Sequence, residues 1–511
     1  MEEAKIIYLM NLPLTDAGNA NRLHSLLGDD WKFVPQLGRW LHWNGQRWQE
    51  ETNGSIRVAA MEAFRNLAAD IIRSLPSCHD MKEMQHRQKV ADGLGRAESI
   101  GRIRGALSFL EGLALKQYGE FDTDPFLLNL QNGTLNLSTG ELRPHNKKDF
   151  ITKICGASYE PQSVMKLKQT ADPQPVAEIN SLTEQATSET VSSTGDTTAK
   201  ESGMNVDIFS ENNSATSLWE ETVRAILPDP AVRRWLQKFM GYCLTGSTEE
   251  EKFVVAYGPG GCGKGTFFET VAAAMGDYKS VVPVDILLTS NVYNGGNNPT
   301  PELAKLPGKR YVLSSESNKN RCMDEAKVKL LTGGDTLTAR HLHADPFEFH
   351  PSFKLVLQTN YLPSISDAMD MGIRRRLVIV PFTAKIEKRD PKLKQKLLQP
   401  ENLQACLAWC VEGAKLWQQE GLEDFPTEMQ KAANSFYEES DLLQQWLDER
   451  TEPSLGFLKF DRALKDFNEW LATGGNSFYQ RKSFSEAMQA HGKIKTRRNQ
   501  GYGYPGIALR A

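Results

Sequence analysis

The sequence predicts an α/β protein arranged around a phosphate-binding loop. An α+β segment precedes the loop, and a helical module ending in two strands follows it. Three observations carry this expectation. Residues 253–268 read FVVAYGPGGCGKGTFF: a short apolar strand, clustered glycines, a lysine, then an apolar helical pattern. Residues 122–151 alternate apolar and polar positions around Asn132-Gly133 and Thr139-Gly140, the pattern of a β-meander. Residues 440–511 read as three helices and then two strands.

The chain's 511 residues point to about three or four domains. With 40% hydrophobic and 24% charged residues, the composition is that of an ordinary soluble protein. A net charge of −4 gives no global basic field, so any nucleic-acid contact rests on local patches. The 7 cysteines are odd in number and lack framework spacing, which reads as free thiols in a reducing cytoplasm. Cys406 and Cys410 lie one helical turn apart. No nearby pair completes a zinc site, so they read as core. The N-terminus, MEEAKIIYLMNLPL, lacks a basic start and a long apolar stretch, so no signal peptide is expected. No apolar run reaches membrane-spanning length, and no membrane contact is expected.

In chain order, a capped helix around Asn19–Leu27 precedes strands carrying Trp40, Trp43 and Trp48, with Asn44-Gly45 as a hairpin turn. These tryptophans read as a small β core rather than a base-stacking platform. Helical patterns cover 56–75 and 81–119; the second is rich in Lys, Arg and His and reads as a solvated face. The meander follows and closes near Tyr159. Residues 162–213 are dominated by Ser, Thr, Glu, Asp, Gln and Pro, too little apolar surface to offset chain entropy, and read as a disordered linker. Residues 218–244 are helical, broken at Pro228-Asp229-Pro230.

The loop Gly258, Pro259, Gly260, Gly261, Cys262, Gly263, Lys264, Gly265, Thr266 is the candidate nucleotide site. Glycines let backbone N–H groups turn inward around phosphate oxygens, the helix N-terminus adds its positive end, and Lys264 reaches the β- and γ-phosphates. One position departs from the usual pattern. Gly265 stands where Ser or Thr normally binds magnesium, leaving Thr266 as the candidate hydroxyl. Downstream, an apolar strand ends at Glu316, where an acid is needed to hold hydrated magnesium and polarise water. Strands are expected at 336–342 and 347–349 around a turn near Ala344-Asp345. Another, at 354–359, ends in Asn360, placed to orient water. IRRRLVIVPF, residues 373–382, sets three arginines before a buried strand.

Taken together these segments resemble the superfamily 3 helicases of the AAA+ class, in particular the helicase half of phage and plasmid primase–helicases, related to poxvirus-type NTPases. TDAGNA, WLHWNGQRW, DPFLLNLQNGTLNL with TGELRP, GPGGCGKGTF, LTGGDTLTAR, LQTNYLP and RRRLVIVPF look like family landmarks, in the family's order. The resemblance implies an N-terminal helicase-associated α+β domain (1–161) and the linker (162–213). A helical collar (214–247), an AAA+ P-loop core (248–400), a helical connection (401–439) and a C-terminal winged-helix domain (440–511) follow. It implies ATP and magnesium as cofactors, with Lys264 as the Walker A lysine and Glu316 as the Walker B acid, the family's frequent acidic pair being reduced to one. Residues 329–340 fall in the motif special to the superfamily. Its hairpin enters the channel of a ring, with Arg340, His341 and His343 at or near the tip. Asn360 becomes the sensor, and Arg376 the arginine finger with Arg375 as nearest rival. In the tail, Lys493, Lys495, Arg497 and Arg498 form a basic wing with Tyr502 and Tyr504 beside it, for DNA phosphate contact or for protein.

The expected activity is an ATP-dependent helicase that moves on single-stranded and forked DNA as a homo-oligomer, a hexamer, in phage or plasmid-type replication. The rival is an NTP-dependent loader or assembly factor. A third expectation is the helicase half of a system with a separate primase. No Asp-rich or Cys/His constellation precedes Asn132, so primer synthesis by this chain is not expected.

Overall fold

The computed structural model describes residues 2–160, 216–289, 300–315, 321–340, 342, 345–473 and 478–510. The sequence-predicted linker, Glu316, His341 and His343 lie outside the described residues.

Helices Glu3–Met10 and Asp16–Leu27 open the chain, the second capped by Thr15 Oγ1, which accepts from the Gly18 N–H at 3.2 Å. An antiparallel sheet follows: β1 (Trp31–Val34), β2 (Arg39–Trp43) and β3 (Trp48–Glu50), with Gly45 at φ +96° turning the hairpin. Trp48 is 1% exposed, stacks on Phe150 and donates its indole N–H to Lys147 O at 2.9 Å, so it packs as expected. Helices Ser55–Ser74, Met81–Ala97 and Ile100–Leu113 complete a helical core. The pattern expected to run from 81 to 119 is thus two helices. The second starts after an extended Ser99, and the faces carrying Val90, Leu94, Ile103 and Leu107 are buried.

The meander forms β4 (Leu127–Leu130), β5 (Gly133–Asn136) and β6 (Leu142–Arg143). It does not stand alone. Leu128, Leu130 and Leu135 share one core with the phosphate-loop helix. Arg310, just before the third strand of the central sheet, ties the meander to the chain at Leu244, donating to Leu127 O at 2.8 Å and Leu244 O at 2.5 Å. A buried guanidinium without a carboxylate is tolerated here because backbone carbonyls take its protons.

Helices Leu218–Ile226 and Pro230–Tyr242 lead into the central sheet. Asp229 accepts from the N–H groups of Ala231 and Val232, so the Pro-Asp-Pro break also starts the second helix. The sheet holds β7 (Phe253–Tyr257), β8 (Lys279–Val281) and β9 (Tyr311–Ser315). A separate antiparallel hairpin, β10 (Leu337–Ala339) with β11 (Phe347–Phe349), precedes β12 (Lys354–Thr359) and β13 (Leu377–Pro381). The order is β13-β7-β12-β9-β8, and every pairing is parallel. The near-continuous apolar runs FVVAY and LVIVP follow from burial on both faces. Helix Lys264–Met275 packs on one face, and helix Pro400–Glu420 packs against it and against Pro230–Tyr242. The last contact is close. A Cβ built on Gly241 would lie 1.9 Å from Ala414 N, and one on Gly413 2.0 Å from Gln237 O. Cys406 and Cys410 are buried in this helix as core.

After helix Thr427–Ser440 the tail runs as helix Leu442–Arg450, β14 (Thr451–Lys459), helices Phe460–Thr473 and Arg481–Ala490, then β15 (Thr496–Arg498) and β16 (Gly501–Leu509). The sheet order is β14-β16-β15, antiparallel. Strand β14 was absent from the sequence-based expectation of three consecutive helices. No helix among the described residues is long and apolar enough to cross a membrane.

Candidate functional site

The phosphate loop leaves the C-terminal end of β7, with β13 on one side and β12 on the other. Ligands of open α/β sheets bind at this end of the strands. Gly261 at φ +84° and Gly263 at φ +93° hold the left-handed turns that let the loop curl. A Cβ on Gly263 would also lie 2.5 Å from Ile226, so the loop packs directly on the preceding helix.

Lys264 is 7% exposed. Its ammonium donates to Gly258 O at 2.6 Å, Pro259 O at 3.1 Å and Asn360 Oδ1 at 3.1 Å, and lies 3.4 Å from Cys262 Sγ. Two of the sequence-predicted catalytic residues therefore meet. Thr266 lines the same cavity of about 780 Å³, together with Ser315, Gln358 and Thr359 from the ends of β9 and β12. Glu316, one residue past Ser315, falls outside the described residues. The lining offers hydroxyl and amide oxygens, a hard donor set that suits magnesium. No group of three or more His, Cys, Asp or Glu able to hold a metal occurs among the described residues.

The far walls were not anticipated. Leu218, Ala225 and Ile226 form an apolar side, and Ile386, Pro391 and Leu393 face the cavity from the segment after β13. That segment, KIEKRDPKLK, also brings Lys388, Arg389 and Lys394 to the cavity. A Cβ on Gly261 would lie within 2.2 Å of Arg389 Nη2, so this guanidinium rests on the phosphate loop. Asp390 accepts from Lys396 at 2.7 Å and from the Lys392 N–H, which hold its carboxyl below the ordinary range. The sequence signal was a solvated-looking charge run without helical period.

The arginine run lies at the opposite edge. Arg376 O accepts from the Phe253 N–H, so Arg376 sits at the N-terminal end of β13, away from the loop. Its guanidinium, 8% exposed, pairs with Glu251 at 2.8 Å and donates to Gly372 O at 2.9 Å. Arg375 also pairs with Glu251 at 2.8 Å, but is 60% exposed. Arg374 stacks over the Tyr437 ring. The structure therefore encloses Arg376 and leaves Arg375 outward.

Arg340 directly follows β10, and its backbone exchanges hydrogen bonds with Thr300. In the tail, Arg497 and Lys495 lie over Tyr502, and Arg498 over Phe457. Lys493 is half-buried, and Tyr504 is buried in the tail's own core.

Two family models match the chain. One, described as "D5 N terminal like", matches residues 20–228. The other, a family of unknown function, matches residues 256–376. The chain is 35% identical over 174 residues to a protein of Acanthamoeba polyphaga mimivirus named "Putative helicase", covering 34% of this chain and 18% of that protein. It is 24% identical over 440 residues to a "Putative helicase" of Frog virus 3, covering 77% of this chain and 44% of the relative. It is 25% identical over 169 residues to a "Putative primase" of African swine fever virus, covering 33% of this chain and 17% of the relative. The chain spans less than half the length of these relatives. The apo C-terminal region of NrS-1 aligns over 95% of this chain and 98% of its own, at 11% identity and a TM-score of 0.44.

Proposed function

We propose that the chain is an ATP-driven DNA motor: a superfamily 3 helicase core of the AAA+ class, acting as a ring on single-stranded and forked DNA. The observation that carries this reading is the Lys264–Asn360 contact on the phosphate loop, inside a cavity that opens at the C-terminal ends of β7, β9 and β12. Numbered from β7 in chain order, and leaving the hairpin aside, the parallel sheet runs 5-1-4-3-2, the order expected of an AAA+ core. A hairpin inserted between β9 and β12 supports a channel contact, and viral relatives named as helicases and a primase support a role in DNA replication.

In this reading the loop's N–H groups and Lys264 hold the phosphates, and Asn360 orients the attacking water. Glu316 accepts its proton as the bond to the γ-phosphorus forms and the bond to the ADP oxygen breaks. Magnesium, when bound, neutralises charge on the phosphates. Arg375, projecting from a neighbouring subunit, is the finger. Arg340, with His341 and His343 beyond it, contacts DNA at the hairpin. The tail's helix–strand–helix–helix–strand–strand order is that of a winged helix, and Lys493, Lys495, Arg497 and Arg498 on it contact phosphates.

Strand displacement on a forked DNA with ATP, beside ATPase rates with and without single-stranded DNA, tests the proposal. ATP-dependent displacement with DNA-stimulated hydrolysis is expected. Hydrolysis indifferent to DNA, with no displacement, would turn the reading to an NTP-driven loader.

A further inference from the structure

The phosphate loop departs from the usual pattern at one atom. Gly265 supplies no hydroxyl where Ser or Thr normally holds magnesium. The space such a side chain would fill is not bare. A Cβ built on Gly265 lies 3.3 Å from Glu269 Oε1, 3.8 Å from Lys394 Nζ and 4.0 Å from Gln358 Oε1. A carboxylate, an ammonium and an amide oxygen thus converge on that position from three elements. Glu269 is one turn along the same helix from Gly265, which puts both on one face. Gln358 comes from the end of β12, opposite Ser315 in register. Lys394 arrives on the segment after β13 and pairs with Glu269 at 2.8 Å.

We propose that Glu269, with Gln358 beside it, supplies the magnesium-binding oxygen that position 265 lacks. The inference rests on the reading of the cavity as a magnesium–nucleotide site. Magnesium is held mostly by substrate phosphates, its own waters and one or two protein carboxylates, so a single carboxylate at this place is sufficient. The Glu269–Lys394 pair is about half exposed on both sides. Such pairs contribute little and open readily. Lys394 therefore balances Glu269 until a divalent cation replaces it.

The test titrates magnesium into the full chain with a fluorescent, non-hydrolysable ATP analogue and reads binding rather than turnover. Glu269→Gln is expected to raise the magnesium concentration at half-effect by about 10- to 100-fold, with affinity for the analogue in EDTA unchanged. Lys394→Met breaks the ion pair but keeps the carboxylate, and should not raise that midpoint. Adding Gly265→Ser to Glu269→Gln should return it toward the wild-type value. Circular dichroism melts confirm that each variant is folded. A Glu269→Gln midpoint equal to wild type, while Lys264→Ala still abolishes binding, overturns the proposal and leaves the nucleotide site standing. Equal shifts in Glu269→Gln and Lys394→Met overturn it in favour of a structural ion pair. A wild-type chain that binds no analogue overturns both the proposal and the reading beneath it.

Discussion

The ammonium of Lys264 and the side-chain carbonyl of Asn360 lie 3.1 Å apart although 96 positions separate them. Strand pairing accounts for this. β7 and β12 are neighbours with Thr359 opposite Tyr257, so the chain leaves both strands at the same level. The residue that would hold phosphate and the residue that would orient water are thus fixed by backbone pairing rather than by flexible loops.

That relationship separates two effects. Lys264→Ala removes the only ammonium seated inside the loop among the described residues, and nucleotide binding should be lost along with hydrolysis. Asn360→Ala should bind nucleotide within a few-fold of wild type yet hydrolyse it about 10²–10³ times more slowly, the scale of losing one positioned polar group. Equilibrium binding and single-turnover rates measure each. Wild-type hydrolysis in Asn360→Ala would remove it from the chemistry.

The phosphate loop was legible because its rule is local. Glycines at positive φ, an apolar strand before them and a helix after them are all written within 253–268. The partners of β7 were not, because parallel neighbours are chosen by packing between distant segments. β14 escaped notice for a local reason. It contains Pro453 and Gly456 and shifts register between Pro453 and Phe457, so no clean alternation survives. The family resemblance makes Arg376 the finger, with Arg375 as rival, but which of the two side chains is enclosed is not written in the arginine run. The burial of Arg376 depends on Glu251, which adopts φ +51°, an uncommon conformation for a non-glycine residue, and accepts both Arg375 and Arg376. Nothing in the one-dimensional pattern announces that partner.

Arg310 gives a stability prediction. Its guanidinium reaches Leu244 O, just past helix Pro230–Tyr242, and Leu127 O on β4. Arg310→Met keeps apolar volume but orphans both acceptors, at a cost of about 1–3 kcal/mol each. Urea denaturation should show a lowered midpoint. An unchanged midpoint would mean that the meander is held by its leucines alone.

His491 should make the tail's stability depend on pH. Its Nε2 faces Asp441 at 2.8 Å and its Nδ1 faces Ala487 O at 2.8 Å, so both ring nitrogens have acceptors. The hydrogen bond that the His491 ring donates to the Asp441 carboxylate raises the imidazole above its ordinary 6.5. A raised folded value means that this contribution is complete below about pH 6.5 and is lost as pH rises through the folded value. The Asp441 carboxyl is half-buried, which alone would raise it, but His491 and the Gln444 N–H pull it below 3.8. Its share is therefore present above that value and lost as pH falls through the folded value. Thermal melts across pH should show the tail's loss on the alkaline side in wild type. In His491→Gln that loss should be absent; if it persists, another group titrates.

The last prediction concerns Arg375 and Arg376. Both touch the Glu251 carboxylate, yet one is nearly enclosed and the other is mostly outside. Removing the enclosed Arg376 leaves Glu251 its exposed partner Arg375 but takes the donor from Gly372 O, at a cost of about 1–3 kcal/mol. Arg376→Ala should therefore be read first as a folding defect, with a lowered melting temperature. Arg375→Ala should melt as wild type does, since an exposed pair contributes little. If Arg375 is the finger that completes a neighbour's site, its loss should slow hydrolysis by about 10³-fold or more. The position supports a trans role. The arginines sit at the N-terminal edge of the sheet and the phosphate loop at the C-terminal edge, so Arg375 is placed away from its own subunit's cavity. Mixing decides the matter. Lys264→Ala subunits cannot hold phosphate but carry an intact Arg375; Arg375→Ala subunits hold phosphate but lack the finger. Wherever an Arg375→Ala site faces a Lys264→Ala neighbour, one complete site forms, and part of the ATPase should return. Subunits shown to exchange, with no activity at any mixing ratio, would remove Arg375 from the neighbour's site and reduce the arginine run to a brace for β13.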